Sequence, residues 1–252
     1  MVMAMKIAFI NDTVYPYFKG GAPKRVFKIG QYLSRDNNVV WLSMNQWHGK
    51  SQIEHGGMII KSVCDDLPLY INYKRTISQA ISYAKRLFTK LISEDFDVAY
   101  CTNFPCFPAL VTKLVCILKH KPMVLDVYEV WGRKYWREYL GIFGLFGYIL
   151  EWLTVRTTKN IVADGVHVVR LLKQELGITA KETAPDGIDW QYIQDVKPSS
   201  KKYDVVSCCR LLPHKNVGLL IRALHYLKEK GTLLSCCIIG GGQESDDLKN
   251  LA

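Results

Sequence analysis

The stretch VSCCRLLPHKN, Val206 to Asn216, places two cations directly after a short apolar run. The run ending at Cys209 has the length and composition of a buried strand, and a helical pattern follows from about Asn216 to Glu229. Arg210 and Lys215 lie between them. Open α/β sheets bind ligands beyond the carboxyl ends of their strands, and a helix N-terminus favours negative charge. The stretch therefore predicts an anion site at the edge of a parallel sheet.

Outward from this stretch, short β-branched runs alternate with longer helical patterns. Alternation of this kind is typical of parallel strands joined by helical crossovers, so we predict a doubly wound α/β fold. The predicted strands are KIAFIND, VVWLS, MIIKSV, DVAYCT, PMVLDVYE and NIVAD, then YDVVSCC and LLSCCIIGGG. The first predicted helix ends near Leu33. The other predicted helices span about Arg75–Ser93, Pro108–Leu118, a segment through Trp152, and Val166–Leu176.

A polar stretch, Pro198 to Lys202, has the composition of a linker. We therefore predict a first domain over residues 1–200 and a second, Rossmann-like domain over residues 201–252. The second segment has room for one strand, helix and strand and the start of another helix, which is too little to bury a robust core. We expect this domain to be incomplete, so that the chain is either a fragment of a longer protein or a shortened protein.

The composition is that of a globular protein with a preference for anionic partners. The chain has 252 residues, 49% hydrophobic content and a formal net charge of +10. The longest apolar segment, Tyr139 to Leu153, is shorter than a membrane-spanning helix. Eight cysteines lack zinc-ribbon spacing, and no signal peptide is evident. We expect a cytoplasmic protein with reduced, structural cysteines.

Gly20 and Gly21 form a second candidate ligand loop, between the first strand and the first helix. Glycines there let a ligand approach the amide groups at a helix start, although a simple glycine turn is equally compatible with the sequence. A nicotinamide dehydrogenase would carry glycines at the first, third and sixth positions directly after the strand. This loop does not, which argues against that class of enzyme.

A diphosphate suits the pair of cations that follows Cys209. The guanidinium of Arg210 can bridge two phosphate oxygens, and the ammonium of Lys215 adds a second positive charge. Together they could stabilise the charge on a departing nucleoside diphosphate. The alternative is a pair of solvated surface charges.

The segments CRLLPHKNVGLLIRAL and CCIIGGGQESDDLKNLA together resemble the start of the donor domain in glycosyltransferase family 4, retaining enzymes of the GT-B fold. The resemblance extends backwards. Gly20 and Gly21 fall at the family's glycine-rich first loop, and PDGID, Pro185 to Asp189, resembles its Pro-Asn-Gly-Val-Asp segment with Asp186 in place of asparagine. It implies a GT-B-like chain with an incomplete second domain.

The resemblance also implies roles for individual residues. Tyr128 and Glu129 stand where the family has His-Asp, so Glu129 is the nearest equivalent of that carboxylate, and a buried strand tyrosine is the alternative interpretation of Tyr128. The implied residues are Arg210, Lys215 and Glu129 for catalysis and Gly20, Gly21, Gly240 and Gly242 for donor binding.

The resemblance implies a nucleotide-diphosphate-sugar donor and no metal or other cofactor. Two sequences imitate the metal-binding Asp-x-Asp of another glycosyltransferase fold, DFD at Asp95 to Asp97 and Ser245-Asp246-Asp247. The first precedes a strand, so we interpret it as a turn between helix and strand.

Aromatic and basic residues interleave in WGRKYWREYLGIFGLFGYILEWL, Trp131 to Leu153, and the predicted helix from Arg75 to Ser93 is also basic. We predict an acceptor side that includes Tyr128, Trp131 and Arg133, and contact of this basic aromatic surface with an anionic membrane on the inner face of the cell membrane. A solvated basic face remains the alternative. No recognised nucleic-acid-binding motif accompanies these residues, so we do not expect a nucleic-acid partner.

The sequence thus predicts a retaining, hexosyltransferase-type enzyme of polysaccharide or cell-envelope biosynthesis. It would transfer a sugar from a nucleotide-diphosphate sugar to a polysaccharide or lipid-linked acceptor in a cleft between domains. The alternative is a truncated, non-catalytic fragment that binds an acceptor or a phosphate without turnover.

Overall fold

The computed structural model describes residues 4–71, 74–197 and 200–252, which divide into two compact units. Unit 1 is Met1–Gly187 and unit 2 is Ile188–Ala252. Pro198 and Ser199, the first residues of the predicted linker, lie outside the described residues. The predicted domain boundary near residue 200 stays a prediction.

Unit 1 alternates strands and helices along most of its length. Its strands are β1 (Lys6–Ile10), β2 (Asn38–Asn45), β3 (Gln52–His55), β4 (Met58–Asp65), β5 (Tyr70–Ile71), β6 (Lys74–Arg75), β7 (Val98–Thr102), β8 (Met123–Val127), β9 (Asn160–Ala163) and β10 (Glu182–Thr183). Its helices are α1 (Gly21–Leu33), α2 (Ile77–Ser93), α3 (Cys106–Leu118), α4 (Gly132–Leu140), α5 (Gly144–Thr154) and α6 (Val166–Leu176), and a 3-10 turn, Gly141–Phe143, joins α4 to α5.

The main sheet has the order β10-β9-β8-β7-β1-β2-β4-β3. All neighbouring strands are parallel except β3 and β4, which form an antiparallel hairpin at one edge. The chain winds from β1 to β2 and β4 on one side, then crosses to β7 and winds the other way. The winding direction therefore reverses between β1 and β7, where sheets of this kind bind ligands beyond their carboxyl ends.

Alternating side chains of the strands fill a core on each face of the sheet. In β1, Ala8 and Ile10 join the cluster covered by α2, α3 and α6, while Ile7 and Phe9 join the cluster covered by α1. This is the two-residue period of a strand buried on both faces. The helices contribute their apolar stripes, such as Tyr83, Leu87 and Leu91 of α2.

Unit 2 contains a smaller fold. It comprises α7 (Trp190–Asp195), β11 (Val205–Cys208), a 3-10 turn (Pro213–Lys215), α8 (Val217–Glu229), β12 (Cys236–Ile239) and α9 (Ser245–Leu251). The strands β11 and β12 pair in parallel. The buried centre is the small cluster of Leu211, Val217, Ile221 and Leu248.

The structure confirms the predicted α/β fold with a mostly parallel sheet. Two details differ from the sequence prediction. The edge strand β3 was not predicted. It is joined to β4 by a tight turn at Gly56-Gly57, which makes an antiparallel hairpin and not the expected helical crossover. The predicted helix through Trp152 is two helices, α4 and α5, joined at Gly141.

The eight cysteines are free thiols. Burial raises the pKa of Cys64 and Cys116 to about 11, which keeps both thiols protonated at neutral pH. Among the described helices, none combines the length and the apolar character that crossing a bilayer requires.

Candidate functional site

In unit 2, Arg210 and Lys215 lie in the loop between β11 and α8. Arg210 follows the carboxyl end of β11, and Lys215 ends the 3-10 turn that leads into α8. Both residues are exposed. Within the described part of the chain, neither forms an ion pair with an acidic side chain. Their charge is therefore open to a ligand.

The local electrostatics indicate that these cations share one neighbourhood with His214. Partial burial and then the positive charges of Lys215 and Arg210 lower the pKa of His214. The positive charges of Arg210 and Lys215 disfavour protonation of His214, and the same positive charges would attract an anionic ligand. The loop can therefore accept a negatively charged group at neutral pH.

The glycine loop after β12 packs directly against this cationic loop. The amide of Leu211 donates to the carbonyl of Gly241 at 2.9 Å, and the amide of Glu244 donates to the carbonyl of Leu211 at 3.1 Å. A Cβ on Gly240 would lie 1.9 Å from the carbonyl oxygen of Cys209. The glycine positions are thus required by close backbone approach, and they fix the cationic loop beside the glycine loop.

Gly242 has the same constraint, because its Cβ would lie 2.3 Å from the carbonyl oxygen of Leu211. Gly241, between the two, has no heavy atom within 4 Å of an added Cβ. The predicted donor-binding glycines Gly240 and Gly242 therefore have a structural role in unit 2, and their binding role stays a prediction.

In unit 1, polar side chains gather at the winding reversal between β1 and β7. Asn11 follows β1 and donates from Nδ2 to the hydroxyl of Thr102 at 3.1 Å. Asn103 follows β7 and donates from Nδ2 to the carbonyl of Glu129 at 2.8 Å. These bonds tie the carboxyl ends of β1, β7 and β8 into one polar edge.

Asp12 is a deeply buried charge at this edge, with 1% of the residue exposed. Its carboxylate pairs with the guanidinium of Arg75 and accepts a hydrogen bond of 2.9 Å from the Gln79 amide. The Nε of Arg75 is buried and has no hydrogen-bond partner among the described residues. An intramolecular partner thus neutralises most of the charge on Asp12.

Glu129 lies beyond β8 on the same edge, where part of the residue is exposed while its carboxylate lies among protein atoms. Protein atoms around the carboxylate desolvate it and raise its pKa, although the Trp131 side chain and the positive charge of Arg75 act in the opposite direction. A carboxylate with a raised pKa can exchange a proton closer to neutral pH than an ordinary glutamate. It is a suitable group for interaction with a hydroxyl.

Tyr128 has a different environment from Glu129. Its hydroxyl donates to the carbonyl of Phe104 at 3.0 Å, and desolvation raises its pKa well above the ordinary value. The phenol is therefore neutral and already bonded within the protein. This is the arrangement expected for a structural tyrosine at a strand end.

Gly20 and Gly21 open α1 as predicted. Gly20 has extended backbone at the N-cap position, and Gly21 has no heavy atom within 4 Å of an added Cβ. One turn later, Arg25 forms a two-bonded ion pair with Asp126, with both bonds at 2.9 Å, and also reaches Asp186 at 2.9 Å. The PDGID segment is thereby fastened to the helix that starts at the glycine loop.

Trp131 and Arg133, predicted on the acceptor side, are held by α5. Glu151, 1% exposed, accepts hydrogen bonds from the amides of Trp131 at 2.7 Å and Gly132 at 3.0 Å, and from the Trp136 indole at 2.8 Å. The Arg133 guanidinium lies 4.9 Å from the ring centroid of Tyr148. Trp131 stacks on Phe104. Most of the predicted aromatic surface is therefore packed inward.

A shallow depression of about 460 Å³ also lies in unit 1. It is lined by Tyr17 and Phe18 of the glycine loop, by Gln46 and His48 after β2, and by residues 66–70 after β4. All of these segments follow the carboxyl ends of strands, so the depression faces the same edge of the sheet as Asp12.

The sequence decoys for a metal site have structural roles. Asp97 accepts a hydrogen bond of 2.9 Å from the amide of Lys6, and Asp95 pairs with the Lys6 ammonium. Both hold the amino end of β1. Among the described residues, no group of three or more histidine, cysteine or acidic side chains is arranged to bind a metal ion.

Sequence reasoning missed Asp12, Arg75 and the Arg25–Asp126 pair. Asp12 ends the strand KIAFIND, and Asn103 follows DVAYCT, so the carboxyl-end rule could have identified both. Arg75 and Arg25 gave no such signal, because their partners are 63 and 101 residues away in the chain.

Comparison with known proteins identifies one sequence family. Residues 189–252 match the family of glycosyl transferases group 1. Among curated proteins, none matches the chain in sequence.

Three solved structures share the fold over 98% of this chain. A sucrose-phosphate synthase from Thermosynechococcus elongatus has 10% identity and a TM-score of 0.68, and Anabaena HepE in complex with UDP and glucose has 15% identity and a TM-score of 0.64. A lipopolysaccharide outer core galactosyltransferase has 13% identity and a TM-score of 0.57. The chain spans 66%, 64% and 64% of their respective lengths. The likeness establishes the GT-B type of α/β fold.

Proposed function

We propose that this chain, whose residues 189–252 match the glycosyl transferases group 1 and whose fold is of the GT-B type, transfers a sugar from a nucleotide-diphosphate sugar with retention of configuration. Unit 1 would serve the acceptor and unit 2 would hold the donor diphosphate. We propose a hexose as the transferred group and a polysaccharide or lipid-linked glycan as the acceptor.

The observation that carries this proposal is the pair of unpaired cations beside the glycine loop of unit 2. Arg210 and Lys215 are exposed at the carboxyl end of β11, and the amide-rich loop 240–242 lies against their loop. A guanidinium and an ammonium so placed can bind the two phosphates of a nucleoside diphosphate. The structure of HepE contains UDP and glucose, which supports a donor of this class.

The same cations would promote the reaction. As the bond between sugar and diphosphate breaks, negative charge accumulates on the departing β-phosphate, and Arg210 and Lys215 stabilise that charge. These cations can supply the stabilisation that a divalent metal ion supplies in other transferases. With the diphosphate leaving and the acceptor attacking on the same face, the configuration of the sugar is retained.

For the acceptor we propose the polar edge of unit 1. The desolvated carboxylate of Glu129 would accept a hydrogen bond from an acceptor or sugar hydroxyl. The open space beside Gly21 at the start of α1 would admit the donor sugar to the same edge. The likeness to a lipopolysaccharide galactosyltransferase supports an acceptor from the cell envelope. Envelope acceptors assembled from nucleotide sugars imply work in the cytoplasm at the inner face of the membrane.

A donor-consumption assay tests the proposal. The chain is incubated with a panel of nucleotide-diphosphate sugars, and release of nucleoside diphosphate is measured with and without a glycan or lipid-linked acceptor. We expect turnover with one donor, a loss of at least a hundredfold in Arg210→Ala or Lys215→Ala, and a smaller loss in Glu129→Gln. Lys228→Ala, which removes an exposed cation from the other end of α8, is the matched control and should keep full activity.

The alternative function is binding without turnover. It predicts that the chain binds nucleoside diphosphate through Arg210 and Lys215 but releases no product from any donor in the panel. Turnover that Arg210→Ala leaves unchanged would contradict both hypotheses.

A further inference from the structure

The helices α4 and α5 form a hairpin whose crossing depends on two glycines. A Cβ on Gly144 would lie 2.6 Å from the Cα of Arg137, and one on Gly147 would lie 2.2 Å from the Trp136 ring. The Glu151 carboxylate accepts hydrogen bonds from two backbone amides at the start of α4 and from the indole of Trp136. The hairpin is therefore a closely packed unit with a fixed shape.

The turn of this hairpin exposes a group of large apolar side chains, which we name the apolar tip. Ile142 is 91% exposed, Phe143 69%, Leu145 64% and Phe146 58%. They lie within five residues along the 3-10 turn and the first turn of α5, on either side of the buried Gly144. From Leu140 to Thr154 the chain carries one charged residue, the buried Glu151. An uncharged, exposed patch of this kind marks an interaction site more often than an ordinary surface.

Basic residues flank the apolar tip on both sides in the sequence. Residues 131–159 contain five basic side chains, Arg133, Lys134, Arg137, Arg156 and Lys159, and all five are exposed. The acidic residues of the same segment are Glu138, which is exposed, and the buried Glu151. Arg156 is anchored with its guanidinium 3.8 Å from the Trp152 ring centroid and its Nη2 2.7 Å from the carbonyl oxygen of Leu176.

We propose that the α4–α5 hairpin is a membrane-docking element that inserts its apolar tip into the surface of an anionic lipid bilayer. Phe, Ile and Leu at a helical turn match the acyl region just below the headgroups, and the cations of α4 and of the segment after α5 match anionic phospholipids. Insertion would remove four exposed apolar side chains from water, which is the larger part of the driving force.

This proposal narrows the membrane contact that the sequence predicted over Trp131 to Leu153, because it assigns insertion to the apolar tip and not to the tryptophans. The interleaved tryptophans Trp131 and Trp136 lie mostly inside the hairpin, where Trp136 is 8% exposed. The cations of α4 remain outside, and the apolar partner of those cations is the tip, not the indoles. The proposal goes beyond sugar transfer and is tested without reference to it.

Flotation of the 252-residue chain with vesicles provides the test. The vesicles are phosphatidylcholine alone or phosphatidylcholine with 30 mol% phosphatidylglycerol, at low and high salt. We expect binding to the anionic vesicles that weakens with salt. Phe143→Asp and Ile142→Asp should each reduce the partition coefficient at least tenfold, and Lys134→Ala or Arg137→Ala by about fivefold.

Leu233→Asp is the matched control, because Leu233 is 80% exposed in unit 2 and its replacement adds the same charge. It should bind vesicles like the parent chain. The far-ultraviolet circular dichroism spectrum and the urea midpoint of every variant should equal those of the parent, since the replaced side chains are exposed. Equal loss of vesicle binding in Leu233→Asp and Phe143→Asp would overturn the proposal, because it would show a general charge effect.

Two other results would also overturn the proposal. One is an absence of binding to anionic vesicles by the parent chain. The other is a concentration-dependent dimer that Phe143→Asp converts to a monomer, with no lipid binding, which would make a second copy of the chain the partner of the tip.

Discussion

The two units differ in whether the cations near their sheet edges are paired with carboxylates. In unit 1, Arg25 and Arg75 are paired with the buried carboxylates of Asp126 and Asp12. In unit 2, Arg210 and Lys215 are exposed and, as far as the structure describes the chain, unpaired. All four lie near the carboxyl edge of a parallel sheet, so position in the fold does not explain the difference.

The difference separates charges that stabilise the fold from charges that await a ligand. A buried arginine without its carboxylate would be severely destabilising, so Arg25 and Asp126 have to be satisfied within unit 1. An exposed cation without a carboxylate partner lowers the stability of the fold very little, because water solvates it. Arg210 and Lys215 can therefore be reserved for an external anion at small cost to stability.

The largest effect that this comparison predicts is loss of the Arg25–Asp126 pair. Asp126→Asn removes the buried carboxylate and leaves the guanidinium only the exposed carboxylate of Asp186, and we expect the free energy of unfolding to fall by about 3 to 5 kcal/mol in urea denaturation. Lys249→Ala, which breaks an exposed pair with Asp246, should change it by less than about 0.5 kcal/mol. If the free energy of unfolding changed by a similar, small amount in both variants, the proposed difference between buried and exposed ion pairs would be contradicted.

The next effect concerns the glycine loop that supports the cations of unit 2. Gly240→Ala would force a methyl group into the Cys209 carbonyl and should destabilise unit 2 by about 1 to 3 kcal/mol. The measurement is amide hydrogen exchange of β11 and β12. Gly241→Ala, with open space around its Cβ, should exchange like the parent chain. Faster exchange in Gly241→Ala than in Gly240→Ala would contradict the packing argument.

A smaller effect is the pH dependence contributed by Glu129. Its pKa is raised in the folded state, so the folded protein binds the proton more tightly than the unfolded chain. The contribution to stability is present below the ordinary glutamate pKa of about 4.3 and is lost as the pH rises through the folded-state value.

Glu129→Gln cannot titrate, so its stability relative to the parent should increase over that pH range. Urea midpoints of both proteins between pH 4 and pH 7 give this difference. A difference that stays constant with pH, or one that falls, would contradict the assignment of a desolvated carboxylate.

The sequence predicted the parts of the fold that depend on local pattern. The predicted helix over Val166–Leu176 matches α6 because its apolar period and the following Gly177 are both visible in the sequence. The hairpin strand β3 was missed because four residues at a sheet edge carry too weak a pattern to distinguish from a loop.

The sequence predicted those residues of the candidate site that directly follow a strand in the chain. Arg210, Lys215 and the glycines of the 240–242 loop are local in sequence, so their motif predicted that they would lie near a strand end. Their partners in binding and chemistry stay predictions. The Asp12–Arg75 and Arg25–Asp126 pairs depend on contacts across the sheet, which a single sequence does not reveal.

Titration calorimetry of UDP into the 252-residue chain tests the central claim, that the unpaired cations of unit 2 bind a diphosphate. We predict binding that is at least tenfold weaker in Arg210→Ala, weakened also in Lys215→Ala, and unchanged in Lys228→Ala. Equal affinity in Arg210→Ala and the parent chain, or an equal loss in Lys228→Ala, would contradict the account.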